Sequence, residues 1–449
     1  MIWDEKNQEI TLTRYFQTRR LIVGVEREVD FTSLGATDIL EGPDNMTILQ
    51  FATVQGTQVV YEYLSKATSI NWIQPDIYII ADLPSIEYIE EVEGLTSLSS
   101  FEAPWNVTRT GLDVYAAYTY NRSVHRQMVV AVIDSGFNSA QPNLQGRMEE
   151  GWNVINNNSD ITLNASTHGT RVAEVIVDAT PRLNNIRILP VIVFDNWGQT
   201  TSLIISDGIH WAVQNGADVL NLSFGSAILR DSPSTPTELA AQYALNRGIT
   251  VVVGAGNMTR DVATVSPARM NSVITVASTG KDDRFWAGRT WGSIIDLAAP
   301  GPDGTSFAAP LVTAATAMYI MNNSGISPAK VQAALRGYVD VPEGWDTSIH
   351  GTGILNMELA IEQTPGHTIT LHLYTDRSRL NDTFGSHATS FTAIRGHEIL
   401  AIEIPVVPGR PRETWESQEL LSAMSEIGHI YGVAGTPGYA FWDGLQILL

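Results

Sequence analysis

Met128-Val-Val-Ala-Val-Ile-Asp134, running into Ser135-Gly136, is the stretch that decides the fold. It is apolar without alternation and mostly β-branched, up to a carboxylate at its end. A strand with one wet face alternates polar and apolar residues, whereas a continuous apolar run marks a strand covered on both faces, as in parallel sheets. Similar runs recur at Ile186–Phe194, Asp218–Leu222, Ile249–Val253 and Val273–Ala277, with helical patterns around them at 168–178, 201–215, 236–247, 305–322 and 327–336. Strands alternating with helices predict an α/β fold built on a doubly wound, mostly parallel sheet. Such sheets bind their ligands beyond the carboxyl ends of the strands.

The chain has 449 residues, and at about 150 residues per domain that allows roughly three domains. Residues 1–102 read as a small α+β domain and connector, 103–364 as the α/β body, and 365–449 as a small β-rich C-terminal extension. In the first region the spacing predicts strands at Leu21–Glu26, Asp38–Leu40, Met46–Ala52 and Ile70–Ile80, and a helix over Thr57–Ala67 with Val59, Val60, Tyr63, Leu64 and Ala67 on one face. Residues 82–100 look like a connector. In the last region Thr368–Tyr374 alternates as a half-buried strand does, Glu398–Val407 reads as a second strand and 417–427 as a helix.

Lys and Arg total 27 against 48 Asp and Glu, a net charge of −21, which disfavours nucleic acid and anionic membrane surfaces as partners. With 44% hydrophobic and 17% charged residues the composition is globular. There is no cysteine, which removes disulfides, thiolate zinc sites and cysteine nucleophiles and leaves the redox compartment open. No apolar run has the length of a membrane span. Arg19-Arg20 precedes only Leu21-Ile22-Val23, too short for the apolar core of a signal peptide, so the expectation is a cytoplasmic chain unless a leader is missing. No cofactor is implied; Asn156-Asn-Asn-Ser-Asp160 is oxygen-rich enough for a cation such as calcium and reads more simply as a solvated loop.

Four polar residues stand where an α/β sheet keeps its chemistry. Asp134 ends an apolar strand, where a carboxylate is costly unless paired, although a turn or cap is its commoner role. His168 opens a helix; there one ring nitrogen can be held by a carboxylate while the other faces a nucleophile, or the residue can simply cap. Ser306, in Gly304-Thr-Ser-Phe-Ala-Ala-Pro310, opens the apolar helix that reaches Met321; its ordinary role is an N-cap, and the same position favours a developing oxyanion. Asn257 ends Val251-Val-Val-Gly-Ala-Gly-Asn257 and is either a turn residue or an amide donor to an oxyanion.

Together, in the order Asp, His, Asn, Ser, these motifs resemble the subtilisin-like serine proteases, the subtilase family. The resemblance spans about Ala103 to Gln363. It includes Val130-Ala-Val-Ile-Asp-Ser-Gly136, His168-Gly-Thr170, Trp211-Ala-Val-Gln-Asn-Gly-Ala-Asp-Val-Leu-Asn-Leu-Ser-Phe-Gly225, Gly254-Ala-Gly-Asn257, Asp296-Leu-Ala-Ala-Pro-Gly301 and Gly351-Thr-Gly-Ile-Leu-Asn356. An α/β-hydrolase is disfavoured because its nucleophile comes first, whereas Ser306 comes last. The resemblance implies a subtilisin-like fold and a serine endopeptidase acting on protein or peptide substrates. It makes Ser306 the nucleophile, His168 the general base and acid, Asp134 the group that orients the imidazole, and Asn257 with the Ser306 N–H the oxyanion hole. Ser223-Phe-Gly225 is similar to the strand that pairs with substrate and walls its pocket, Ala255-Gly256 to the opposite wall, and Trp197-Gly198-Gln199 to the second flanking segment. Residues 21–81, with Trp72-Ile-Gln-Pro-Asp76, resemble the family's propeptide, an intramolecular inhibitor, and then 82–102 carries the processing site.

The sequence departs from the family at three points. Only Pro302 and Asp303 separate Gly301 from Gly304, where the family has a longer hairpin. Arg171 replaces a second histidine one turn after His168, and a cation there predicts pairing with an acid, for which Glu174 is one candidate. The connection from Asp178 to Asn185 is too short for the calcium loop of many relatives. The shortened wall beside Ser306 keeps a second reading open, a pseudoprotease acting as a binding or regulatory protein. A third, an esterase or transpeptidase, shares the same acyl-enzyme chemistry.

Overall fold

The computed structural model describes residues 18–24, 29, 31–42, 46–67, 70–76, 78–80, 103–122, 126–162, 167–285, 289–301, 303–362, 368–374, 399–405 and 446–448. Their contacts group the chain into two units, Met1–Asn356 and Met357–Leu449.

The chain enters through an antiparallel sheet. Strands β1 (Arg20–Gly24), β2 (Asp38–Glu41), β3 (Met46–Gln50) and β4 (Trp72–Pro75) lie in the order β2-β3-β1-β4, with helix α1 (Val54–Leu64) between β3 and β4. Alternation along a strand sends neighbouring side chains to opposite faces. Thus Leu21 and Val23 of β1 join Leu49, Val60, Leu64 and Ile73 in a core of this sheet and its helix. Ile22 turns the other way and packs with Met46, Ile48 and Leu203, the last belonging to the body. One face of the small sheet makes its own core and the other adheres to the larger domain.

Two expectations are corrected here. On α1 the buried stripe is Thr57, Val60 and Leu64, while Val59 and Tyr63 are exposed. They stand one residue back, about 100° round the helix, so the apolar surface forms two stripes and only one reaches the core. The strand predicted over Ile70–Ile80 breaks at Asp76 into β4 and β5 (Tyr78–Ile80). β4 pairs with β1, whereas β5 runs antiparallel to a strand of the body, β9, described below.

The body begins with two helices for which the sequence reading made no prediction, α2 (Trp105–Arg109) and α3 (Leu112–Asn121), separated by Gly111 at φ 62°. Then follow β6 (Met128–Asp134), β7 (Trp152–Asn153), α4 (His168–Asp178), β8 (Ile186–Ile192), β9 (Gln199–Thr201), α5 (Ser202–Gln214), β10 (Val219–Leu222), β11 (Ser226–Ala227), α6 (Pro236–Asn246), β12 (Thr250–Gly254), β13 (Val265–Ser266), β14 (Ile274–Thr279), β15 (Leu297–Pro300), α7 (Thr305–Asn322), α8 (Pro328–Leu335), β16 (Val339–Asp340) and β17 (Ile354–Leu355). Strands β16-β17-β15-β14-β12-β10-β6-β8-β7 form one sheet, parallel except for β16. The order reverses at β6: the chain moves from it to β8 on one side and then returns to β10 on the other. A crevice opens at such a switch point, here between the carboxyl ends of β6 and β10. The apolar runs are buried as the sequence predicts, and α7, which carries no charged residue, is covered along almost its whole length. No helix among the described residues is long and apolar enough to cross a membrane.

In the second unit β18 (Thr368–Tyr374) pairs antiparallel with β19 (Ile399–Pro405) and with β20 (Gln446–Leu448). Both strands predicted there are present. The helix expected at 417–427 and the connector with its processing site at 82–102 lie outside the described residues. The division into units runs at 356/357, so the short helix Glu358–Glu362 is counted with the second.

Candidate active site

Four elements converge on one point. Asp134 is the last residue of β6 and is buried. Its Oδ1 accepts from the Ser135 N–H at 2.6 Å and lies 2.8 Å from His168 Nδ1. Burying a carboxylate is costly unless its lone pairs are used, and here the strand end supplies a backbone donor and α4 an imidazole. The start of α4 is pinned to the same turn: Ser135 Oγ accepts from the Gly169 N–H at 3.2 Å, and Thr170 Oγ1 accepts from the Asn138 N–H at 2.9 Å. A Cβ at Gly169 would stand 2.9 Å from the Ser135 carbonyl oxygen, so only glycine lets α4 approach this closely.

Ser306 is the second residue of α7, among the first backbone N–H groups of an 18-residue helix. These donors have no partner within the helix and face its positive end. The hydroxyl donates to the Ser223 carbonyl at 3.1 Å, and Ser223 Oγ donates to the Ser306 carbonyl at 3.0 Å. The end of β10 and the start of α7 are therefore cross-bonded. Behind them Asn221 Nδ2 donates to Ser223 Oγ at 2.9 Å, and Thr313 Oγ1 donates to Asn221 Oδ1 at 2.8 Å. His168 and Phe307 bring their ring centroids to 5.6 Å, so α4 and α7 touch beside the site.

Asn257 lies beyond β12. Its Oδ1 accepts from the Thr305 N–H at 3.0 Å, which assigns the acceptor side of the amide to α7 and leaves Nδ2 as the donor side. Gly304 has φ +125°, and a Cβ there would meet the Asn257 amide at 2.8 Å, so both conformation and space demand glycine. Thr305 Oγ1 also accepts from the Gly256 N–H at 3.1 Å, tying the 255–257 turn to the same helix start.

The residues expected to flank a substrate sit on connections of the body. Ser223, Phe224 and Gly225 follow β10, and Ala255 and Gly256 follow β12. The Phe224 ring turns into the core against Phe194, centroids 5.5 Å apart. Gly198, at φ +71°, closes a turn on Asp195 just before β9, with Trp197 largely exposed beside it. β9 is taken up by β5, in the register Tyr78↔Thr201, Ile79↔Thr200 and Ile80↔Gln199.

Arg171 pairs with an acid, and the partner is Asp303, at 2.9 Å, in the short segment before Ser306. Glu174 accepts instead from Gln141 at 2.7 Å, and burial raises its carboxyl pKa. At the oxygen-rich loop 156–160, Asn153 Oδ1 accepts from the Asn156 N–H and Asn158 Oδ1 from the Asp160 N–H. Among the described residues no group of three His, Asp or Glu is placed to hold a metal. The sequence reading missed Ser135, Asn221, Asp303 and Thr305. Asn221 alone carried a signal, a polar residue inside the buried run Val219-Leu-Asn-Leu222.

The sequence profile of the subtilase family matches residues 125–340. Thermitase of Thermoactinomyces vulgaris is 31% identical over 239 residues, which cover 49% of this chain and 83% of that protein. A thermophilic serine proteinase of Bacillus sp. (strain AK1) is 26% identical over 356 residues, 74% of this chain and 82% of that protein. Among solved structures, fervidolysin of Fervidobacterium pennivorans, described as a keratinolytic enzyme related to subtilisin, superposes with a TM-score of 0.60 at 20% identity. That match covers 86% of this chain and 67% of that one, and shows likeness of fold.

Proposed function

The chain belongs to the subtilase family and is a serine-type endopeptidase, and we propose that Asp134, His168, Ser306 and Asn257 carry that activity. The observation that supports this most is the buried 2.8 Å contact between Asp134 and His168 Nδ1, with the Ser306 turn packed beside the same imidazole through Phe307. In this reading Ser306 Oγ leaves the Ser223 carbonyl and attacks the scissile carbonyl carbon, and its proton passes to His168 Nε2. Asp134 holds the imidazole in the tautomer with Nδ1–H and stabilises the cation that forms. The carbonyl oxygen becomes an oxyanion, accepting from Asn257 Nδ2 and the Ser306 N–H at the positive end of α7. Collapse returns the proton to the leaving amine and leaves an acyl-enzyme, and water repeats the cycle to release the acid.

The same reading makes the N-terminal region, residues 21–81, an intramolecular inhibitor. Support comes from the antiparallel pairing of β5 with β9, a short strand of the body that has no other strand partner among the described residues. Asp76 Oδ1 accepts from Ser202 Oγ at 3.0 Å at the start of α5, and its other oxygen pairs with Arg20 at 2.7 Å. Burial pushes the Asp76 carboxyl pKa up, against Arg20 and these donors. Gln74 Nε2 donates to the Ser234 carbonyl just before α6. Residues 82–102 would then carry the self-processing site.

The test is covalent labelling of the purified protein by a fluorophosphonate, which requires an activated serine. Wild type is expected to gain one adduct at Ser306, and Ser306→Ala none. A folded wild type without adduct would instead favour the pseudoprotease.

A further inference from the structure

A single guanidinium contacts the chain on both sides of Ser306. Arg171 stands one turn after His168 on α4. Its Nη2 donates to Asp303 Oδ2 at 2.9 Å, and its Cζ lies 4.4 Å from the centre of the Phe307 ring. Asp303 precedes Ser306 by three residues and Phe307 follows it directly. The Phe307 ring in turn meets His168 in a tilted contact, at 5.6 Å and 56°. One side chain, itself outside the proposed chemistry, thus joins the helix of the base to the turn of the nucleophile at two points.

Among the described residues of the turn, Asp303 alone offers a side chain. Gly301 and Gly304 bound it and contribute no side chain, and the Gly304 N–H closes it on the Gly301 carbonyl at 2.9 Å. α7 has no charged residue of its own. The other charged groups on the facing elements are already engaged: Asp134 with His168, Glu174 with Gln141, and Asp178 with Asn143. We propose that Arg171 and Asp303 are positioning residues, a bracket that fixes the distance between His168 and Ser306 and so sets the rate of acyl transfer without touching substrate. The inference rests on the reading of His168 and Ser306 as base and nucleophile.

The bracket is half exposed, with 43% of the Arg171 side chain and 54% of that of Asp303 open to solvent. An exposed ion pair is screened by salt, while ring stacking is screened much less. The full chain is reacted with a fluorophosphonate over a range of concentrations. Intact mass then gives the saturating rate of labelling and the half-saturating concentration. Arg171→Gln is expected to slow the saturating rate about fivefold to tenfold and Asp303→Asn about threefold, each with a half-saturating concentration unchanged within about twofold. Arg171→Lys keeps the charge and is expected to recover most of the rate. Raising salt to about 1 M is expected to slow wild type toward Asp303→Asn and to leave that variant unchanged. Equal saturating rates and equal salt responses in wild type and both neutral variants would overturn the proposal. So would a loss confined to the half-saturating concentration. The salt response of wild type alone bears on the proposal if a variant fails to fold. A wild type that takes no label overturns the underlying reading of Ser306, a result separable from any difference among labelled variants.

Discussion

At the scale of single residues, the candidate site depends on polar atoms whose partners are fixed. Asn257 is held by the Thr305 N–H through Oδ1, so Asn257→Ala removes the proposed oxyanion donor and the acceptor for a helix N–H together. Its kcat on a peptide p-nitroanilide is expected to fall by roughly 10²- to 10³-fold, as is typical for loss of one such donor, with KM within a few-fold. Ser223→Ala takes the acceptor from Asn221 Nδ2 and the donor from the Ser306 carbonyl. Denaturant unfolding is expected to show a loss of about 1–3 kcal/mol. Asp134, His168 and Ser306 were legible as candidates because each ends or opens a strand or helix, and Asn257 because it closes the sequence run that begins with a buried strand. Ser135, Asp303 and Thr305 were not, because hydrogen bonds between turns leave no periodic trace. Asp303 in particular gains its partner only when α4 and the segment before α7 meet in space.

At the scale of elements, the sequence placed strands β6, β8, β10, β12 and β14 and helices α4 to α8 to within a few residues, since a buried run and an amphipathic stripe report their own period, and it missed α3 and β15. It failed where an element is defined by its neighbour. The break at Asp76 exists because β4 belongs to one sheet and β5 joins another. Asp76→Ala leaves Arg20 and the first donors of α5 without their carboxylate. It is expected to weaken docking of residues 18–80 by about 1–3 kcal/mol, read as faster hydrogen exchange across β1 and β4. A pH effect belongs to the corner Thr347–His350. The His350 ring stacks 3.8 Å from Phe285, and burial lowers its pKa from 6.5, with Asp346 partly opposing. The folded corner binds the neutral ring better than the unfolded chain does, so its contribution is complete above about pH 6.5 and shrinks as pH falls toward the lower folded value. His350→Phe is expected to abolish this acid-side decline in the thermal midpoint between pH 8 and pH 5.

At the scale of the whole molecule, the three regions of the sequence become two units, with the N-terminal sheet sharing the Ile22, Met46, Ile48 and Leu203 cluster with the body. Composition shifts suggested the regions but not that one face of the first is apolar for the sake of the second. All the proposed site residues and their hydrogen-bond partners lie within Met1–Asn356. A chain ending at Glu362 is therefore expected to take a fluorophosphonate label at the rate of the full chain. The central claim is a working nucleophile that first cuts its own chain. Intact mass of the purified protein beside its Ser306→Ala variant addresses it most directly. The account predicts a wild-type chain cut once within 82–102 and a variant that stays whole. A wild-type chain as long as the variant, folded and kept at working concentration, would contradict it.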